Sequence, residues 1–438
     1  MNKQQKVFDS YKAGQNIFVT GSGGTGKSYL IKKIYNDALE NNKKISVTAL
    51  TGIAAILLDC NACTIHSWAG VGLGNGSVDN IIKKVAKSKF KSYNWFFTDI
   101  LIIDEISMMS SELFTLLNKL GQSLLKNDKP FGGIQLIMTG DFFQLPPVNS
   151  TLFCFENENF LSSFDTIINL SKIYRQKDPL FKKMLINMRI GLISQKSIEA
   201  LKSRVLSKEQ INDLLKKENI TRLVPTKQKA QQINLEELSK LNETNHNKTF
   251  KYSREFKEEK EQLTKTQIKK LNTLTNIEKE EEYNFIKNST LTEDNIELTK
   301  NAFVMSIANI DNENGIVNGS QGIIIDFDNE SNPIVKFNNG HIMTVFRHGW
   351  RSETIPGLTV KQIPLILAWS VTIHKAQGLT LDKVIVDIGN DIFECGQMYV
   401  AISRVKTFDG LYLENFDITK LKINYRVLNF YKKNELIN

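Results

Sequence analysis

The run Gly21-Ser22-Gly23-Gly24-Thr25-Gly26-Lys27-Ser28 constrains this chain more than any other feature. It sits between two segments of opposite texture. Asn16–Thr20 is a short apolar run without alternation, which predicts a buried strand. Ser28–Glu40 sets Leu30, Ile31, Ile34, Tyr35, Ala38 and Leu39 at helical spacing. Strand, glycine-rich turn and helix, in that order, let backbone N–H groups and a helix N-terminus close around phosphate oxygens. Gly21, Gly23, Gly24, Thr25 and Gly26 form the expected cradle, Lys27 bridges the β- and γ-phosphates, and Ser28 ligates magnesium. ATP and Mg²⁺ are therefore the expected cofactors.

Such a loop needs acids on a neighbouring strand. Leu101-Ile102-Ile103-Asp104-Glu105 supplies them, with Asp104 expected in the magnesium shell and Glu105 as the base that orients and deprotonates water. On its own, an apolar run ending in acids is weak, because strand ends often carry turn-starting Asp or Glu; after a phosphate loop it is strong. Two adjacent acids also favour hydrolysis over phosphoryl transfer to a metabolite. Gly140-Asp141-Phe142-Phe143-Gln144-Leu145-Pro146 follows the next apolar run, and Gln144 is placed to sense the γ-phosphate. Phe142 and Phe143 read equally well as core or as interface aromatics.

Of 56 basic residues only nine are arginine, so lysine does the generic surface work and each arginine merits a question. Arg175, in Tyr174-Arg175-Gln176, and Arg404, in Ala401-Ile402-Ser403-Arg404, are the expected donors to the γ-phosphate, since a guanidinium is planar and permanently charged. A surface role is the plain alternative for each. The net charge of +9 favours a polyanionic partner. Residues 241–300 hold eleven Lys/Arg against twelve Asp/Glu, so the excess lies elsewhere in the chain. Candidate nucleic-acid contacts are Thr51, His66, Ser67, Phe143, Asn318, His374 and Lys375. Hydroxyl, amide, imidazole and ammonium groups reach phosphates, and aromatic rings stack on bases. Trp68 and Trp350 read better as core or rim.

Length and texture predict an α/β chain of several modules. Further buried strands are expected at Ile45–Ala49, Ile100–Ile103 and Gln135–Thr139, giving a first lobe over 1–168. A second lobe is expected over 169–240 and 363–438. Its strands are placed at Thr221–Pro225, Leu365–Thr372, Val384–Ile388 and Leu411–Leu413, and a helix runs on from Thr226. Two insertions interrupt it: a charged helical one over 241–300, and a β-rich one over 301–362 with turn pairs such as Asn338-Asn339-Gly340. Cys60 and Cys63 read as unrelated loop residues, because Cys154 and Cys395 are too remote and unpatterned to complete a zinc set. No apolar run is long enough to span a membrane, and Met1 to Lys6 resembles neither a signal peptide nor a presequence. An intracellular protein of nucleus or cytoplasm, with no membrane contact, is expected.

Together these residues resemble the Pif (petite integration frequency) family of DNA helicases, in the RecD-like branch of helicase superfamily one. The resemblance runs over about residues 1–430. It is carried by Gln4, Thr48–Ala55, Thr64–Ser67, Asp104–Met108, Lys129–Leu136, Gly140–Val148, Tyr174–Gln176, Val317–Ser320, Ile373–Thr380 and Tyr399–Arg404. It implies two RecA-like lobes and a small Src-homology-three-like β-barrel inserted in the second. It implies a motor that closes its lobes on ATP, moves 5′ to 3′ on single-stranded DNA and unwinds tailed duplexes, G-quadruplexes among its targets, as a monomer when free. It adds Gln4 as reader of the adenine, and Gln377 and Gly378 as nucleotide contacts. Residues 241–300 match the family pattern poorly. An RNA translocase, or a DNA-binding scaffold with a decayed ATP switch, are the rival readings.

Overall fold

The computed structural model describes residues 3–437 apart from 59, 73–75, 90, 149, 246–247, 262, 291 and 353–354. The chain packs as two compact units, Met1–Val205 with Leu381–Asn438, and Leu206–Thr380.

The first unit is built on a six-stranded sheet: β1 (Ile17–Gly21), β2 (Ile45–Ala49), β3 (Cys63–Thr64), β4 (Ile100–Asp104), β5 (Gln135–Gly140) and β6 (Thr166–Leu170). Their spatial order is β3-β2-β4-β5-β1-β6, and every neighbouring pair is parallel. Both faces are covered, which is why the strands read as unbroken apolar runs. Side chains alternate between faces along each strand. Ile17, Val19, Ile100, Ile102 and Ile137 enter one core, beside Val7 and Tyr11 of α1 (Lys3–Lys12) and Leu30, Ile31, Ile34 and Ala38 of α2 (Lys27–Glu40). Phe18, Leu101, Ile103, Leu136 and Met138 enter the other.

That second core is aromatic. Phe142, Phe160, Phe164 and Phe430 surround Phe18, with ring centroids such as Phe18–Phe160 at 5.5 Å and 74°. Edge-to-face packing of this kind adds about 0.5–1.5 kcal/mol per pair beyond area burial. The helix Tyr425–Lys433 inserts Phe430 and Tyr431 here, so the C-terminal segment is part of the first unit's core. By compactness residues 169–205 and 381–438 are counted with the phosphate-loop unit, yet Val384–Ile388 and Leu411–Phe416 pair in parallel with each other and lie outside the six-stranded phosphate-loop sheet.

In the second unit Arg222–Val224 pairs in parallel with Ser370–Thr372. The helix Lys227–Asn245 buries Ala230, Ile233 and Leu238. The β-rich insertion forms an antiparallel sheet of Ile342–Thr344, Pro333–Phe337, Gln321–Phe327, Phe303–Ser306 and Leu365–Leu367, in that order. A three-stranded sheet joins His348–Arg351, Leu358–Gln362 and Glu255–Glu258, and Phe250–Ser253 pairs with Asn295–Leu298. The segment 241–300 is therefore not simply helical. Its helices Lys265–Thr273 and Asn276–Ser289 are flanked by strands. The alternation of Phe250 and Tyr252 with polar neighbours, Tyr252 being buried, is a strand period that dense charge disguises. Among the described residues no helix is long and apolar enough to cross a membrane.

Candidate active site

The loop between β1 and α2 lies at the C-terminal ends of the parallel strands, where open α/β sheets hold their ligands. Gly26 caps α2 in a left-handed conformation, φ 86°. Gly24 needs its lack of a side chain twice over: φ is +79°, and a Cβ would lie 2.6 Å from the Cβ of Arg175. Lys27 Nζ donates to the carbonyls of Gly21 (2.7 Å) and Ser22 (3.2 Å). Burial pushes its pKa below the ordinary lysine value, although Asp141, Glu105 and Asp104 pull the other way.

β4 delivers the two acids. Asp104 is 4 % exposed and accepts a hydrogen bond from the Thr139 hydroxyl of β5. Burial first, and then the neighbouring Glu105 charge, raise its carboxyl above the usual carboxylate range. An all-oxygen set with crowded negative charge fits a hard divalent cation. Glu105 itself adopts φ 55°, ψ 40°, a left-handed conformation that costs a side-chain-bearing residue about 1–3 kcal/mol. No sequence signal announces that strain.

Both expected arginines meet this loop. A Cβ at Gly23 would stand 3.5 Å from Arg404 Nη2 and 3.6 Å from Arg175 Nη1. Arg175 Nη1 donates to the Ser403 carbonyl; Arg404 donates from Nε to the Val400 carbonyl and from Nη2 to Ser403 Oγ. Gln176 ties the two segments together, its Nε2 donating to the carbonyls of Ser403 (3.2 Å) and Val405 (2.9 Å). Neither guanidinium forms an ion pair among the described residues. Burial lowers both pKa values, and Arg404 lowers that of Arg175 further. A guanidinium stays charged even so. Two positive charges held against a glycine cradle, with only neutral oxygens as hydrogen-bond partners, fit a polyphosphate.

Three further groups escaped the sequence reading. Asp141 is fully buried and ion-paired to Arg189, which also lies over the rings of Phe143 (4.7 Å) and Tyr431 (5.1 Å). Tyr399 accepts a hydrogen bond from the Gly23 N–H at 3.0 Å. Tyr174, 47 % exposed, packs beside Gly26, where Gln4 also lies with its Nε2 3.3 Å from the Thr25 carbonyl. The rarity of arginine could have singled out Arg189; nothing local marked Tyr399 as touching the loop. Gln144 is buried, and its Oε1 has no hydrogen-bond partner among the described residues.

The expected nucleic-acid contacts divide. His66 opens onto a cleft of about 750 Å³ lined by Leu50, Met108, Leu113 and Val148, and burial keeps its imidazole neutral by lowering its pKa. Thr51 Oγ1 accepts the Ala54 N–H, as a helix cap does. Phe143 is a correction: at 4 % exposure, enclosed by Arg189 and Tyr431, its ring has no free face for a base. Ser67 and Asn318 are buried as well. His374 and Lys375 are half-buried in the turn after Ser370–Thr372, ahead of buried Gln377 and left-handed Gly378, all in the second unit.

Comparison with known proteins agrees with this geometry. The profile of the PIF1-like helicase family matches residues 1–209. The ATP-dependent DNA helicase PIF1 of Xenopus laevis is 34% identical over 437 residues, covering 98% of this chain and 63% of that protein. The crystal structure of Pif1 helicase from Candida albicans superposes with a TM-score of 0.78 at 33% identity, covering 99% of each chain. That of Pif1 helicase from Bacteroides in complex with ADP-AlF3 and ssDNA gives 0.68 at 27% identity, over 100% of this chain and 98% of that one. The chain spans about six tenths of the length of the first curated relatives it matches. With a glycine cradle, paired acids and two arginines on a parallel sheet, and near-complete coverage of a solved relative, this chain belongs to the PIF1-like helicase family.

Proposed function

We propose that this chain is an ATP- and Mg²⁺-dependent motor that moves 5′ to 3′ on single-stranded DNA and unwinds tailed duplexes, G-quadruplexes among its targets. The observation that carries this reading is the pair of guanidiniums, buried Arg404 and half-buried Arg175, that form no ion pair among the described residues and lie beside Gly23. Charge buried without a counterion is costly. It is explained when a triphosphate neutralises it and hydrolysis removes that neutralisation in each cycle. A relative solved with ADP-AlF3 and ssDNA supports both ligands.

In this reading Gly21, Gly23, Gly24, Thr25, Gly26 and Lys27 bind the phosphates, and Ser28 and Asp104 hold Mg²⁺, whose chemistry is to neutralise β,γ charge. Gln4 orients the adenine and Tyr174 offers it a face; Gln377 and Gly378 are further nucleotide contacts. Glu105 takes the proton of the attacking water, Gln144 Oε1 orients that water, and Arg175 and Arg404 stabilise the transferring group. Thr51, His66, His374 and Lys375 are the strand contacts. Residues 301–362 act as a Src-homology-three-like guide for the strand, between the parts of a second RecA-like lobe. The free protein is a monomer and works inside the cell. A base-pair step averages about 1.4 kcal/mol, within reach of one ATP turnover.

The test is ATP turnover with and without single-stranded DNA, followed by unwinding of duplexes with a 5′ or a 3′ tail. Strong stimulation and unwinding from the 5′ tail alone are expected. Unwinding from the 3′ tail would overturn the polarity, and stimulation by RNA alone would overturn the substrate.

A further inference from the structure

We propose that Tyr399 is a positioning residue of the phosphate loop, its phenol oxygen holding the Gly23 N–H that a nucleotide phosphate must take. This rests on the nucleotide reading above and adds a residue to it. The phenol accepts from Gly23 N–H at 3.0 Å, and its own proton points to Asp141 Oδ2 at the long distance of 3.5 Å. The ring is 2 % exposed, so water is no substitute on either side. Phosphate loops work by aiming backbone N–H groups at phosphate oxygens. An oxygen arriving at Gly23 N–H therefore competes with the phenol. Once displaced, the phenol has one strong partner left, Asp141, and that bond shortens.

Asp141 is well placed to pass the change on. Arg189 fixes its carboxylate. Its Oδ1 accepts the Phe143 N–H and its carbonyl accepts the Gln144 N–H, at 3.2 and 2.9 Å. The line from Gly23 through Tyr399 to Asp141 thus ends at the residue assigned to orient the water. Tyr399 also shares the helix Gln397–Ile402 that leads into Arg404, so loop occupancy acts on both. Tyr431 supplies an internal control. Its buried phenol bonds Thr20 Oγ1 and the Phe142 N–H, in the same network but without holding an N–H of the phosphate loop.

Y399F keeps the ring and removes the competing oxygen. Titration of a non-hydrolysable ATP analogue with Mg²⁺ should show binding about three- to tenfold tighter than wild type, the worth of one neutral hydrogen bond. Maximal turnover should fall, because Asp141 loses its partner; KM and kcat then drop together. Y431F should leave analogue affinity unchanged. Weaker or equal binding by Y399F, or the same tightening in Y431F, overturns the proposal while the nucleotide reading stands. Failure of the wild-type protein to bind the analogue overturns both. If Y399F does not fold, 3-fluorotyrosine at 399 weakens the acceptor without deleting it, and must shift affinity in the same direction.

Discussion

Arg189 grips both carboxylate oxygens of Asp141, Nε lying 3.0 Å from each and Nη2 2.8 Å from Oδ1, at a point where Asp141 has no exposed surface. A fork of this kind holds the start of the Asp141–Pro146 segment against the sheet. Replacing one partner leaves the other charge buried and alone. R189M should therefore destabilise the first unit by about 3–5 kcal/mol, whereas the double variant D141N/R189M should recover part of the loss. Urea unfolding of the four proteins in that cycle is the measurement. A loss for R189M no larger than for a surface substitution would show that the pair does not anchor the segment.

Glu105 pairs a catalytic assignment with a strained backbone, φ 55°. E105Q keeps shape and strain, so it should still bind nucleotide while turnover falls about 10²–10⁴-fold, the usual worth of a general base. E105G removes base and strain together. It should lose the same turnover yet match or exceed the thermal midpoint of E105Q, because glycine tolerates that conformation freely. Normal turnover in E105Q would dismiss the assignment of the base.

Arg175 and Arg404 predict a conflict between stability and activity. Arg404 is buried and Arg175 half-buried, and Arg404 adds to the electrostatic cost of charging Arg175. R404M should thus melt no lower than wild type without nucleotide, since an unpaired buried charge has gone. Its turnover should fall about 10³-fold or more, as when an arginine finger is lost. The upward shift in midpoint on adding an ATP analogue should shrink. A large drop in stability without nucleotide, with turnover intact, would make Arg404 structural.

Local chemistry was legible where it depends on neighbours in the chain. The phosphate loop, the acid pair on β4 and the buried-strand runs followed from spacing alone. What could not be read depends on contacts across hundreds of positions. The Gly23–Tyr399 bond and the Thr20–Tyr431 bond join residues 376 and 411 positions apart. Insertion of Tyr425–Lys433 into the first unit's core also lay beyond local pattern. Phe143 and Ser67 were candidate contacts by residue type. Burial, a tertiary property that residue type does not reveal, encloses both.

His66 connects burial to pH. Its folded-state pKa lies below the ordinary imidazole value of 6.5 because burial disfavours the charged ring. As pH falls through 6.5 the unfolded chain takes up a proton before the folded one does. The stability contribution is therefore complete above that value and is lost progressively below it, by at most about 1.4 kcal/mol per pH unit for one group. His348 shifts the same way for the same reason, so the wild-type slope contains both. The difference between wild type and H66Q isolates His66. Unfolding free energies at pH 7.5, 6.5 and 5.5, roughly spanning the ordinary imidazole range, should fall more steeply for wild type than for H66Q. Because the imidazole lines the cleft beside Leu50 and Met108, a phosphate held there would favour the protonated ring. Single-stranded DNA should then bind wild type more tightly as pH falls, with H66Q lacking that increment. Parallel stability curves for the two proteins would mean that His66 titrates as it does in the unfolded chain, and the buried-neutral assignment would be withdrawn.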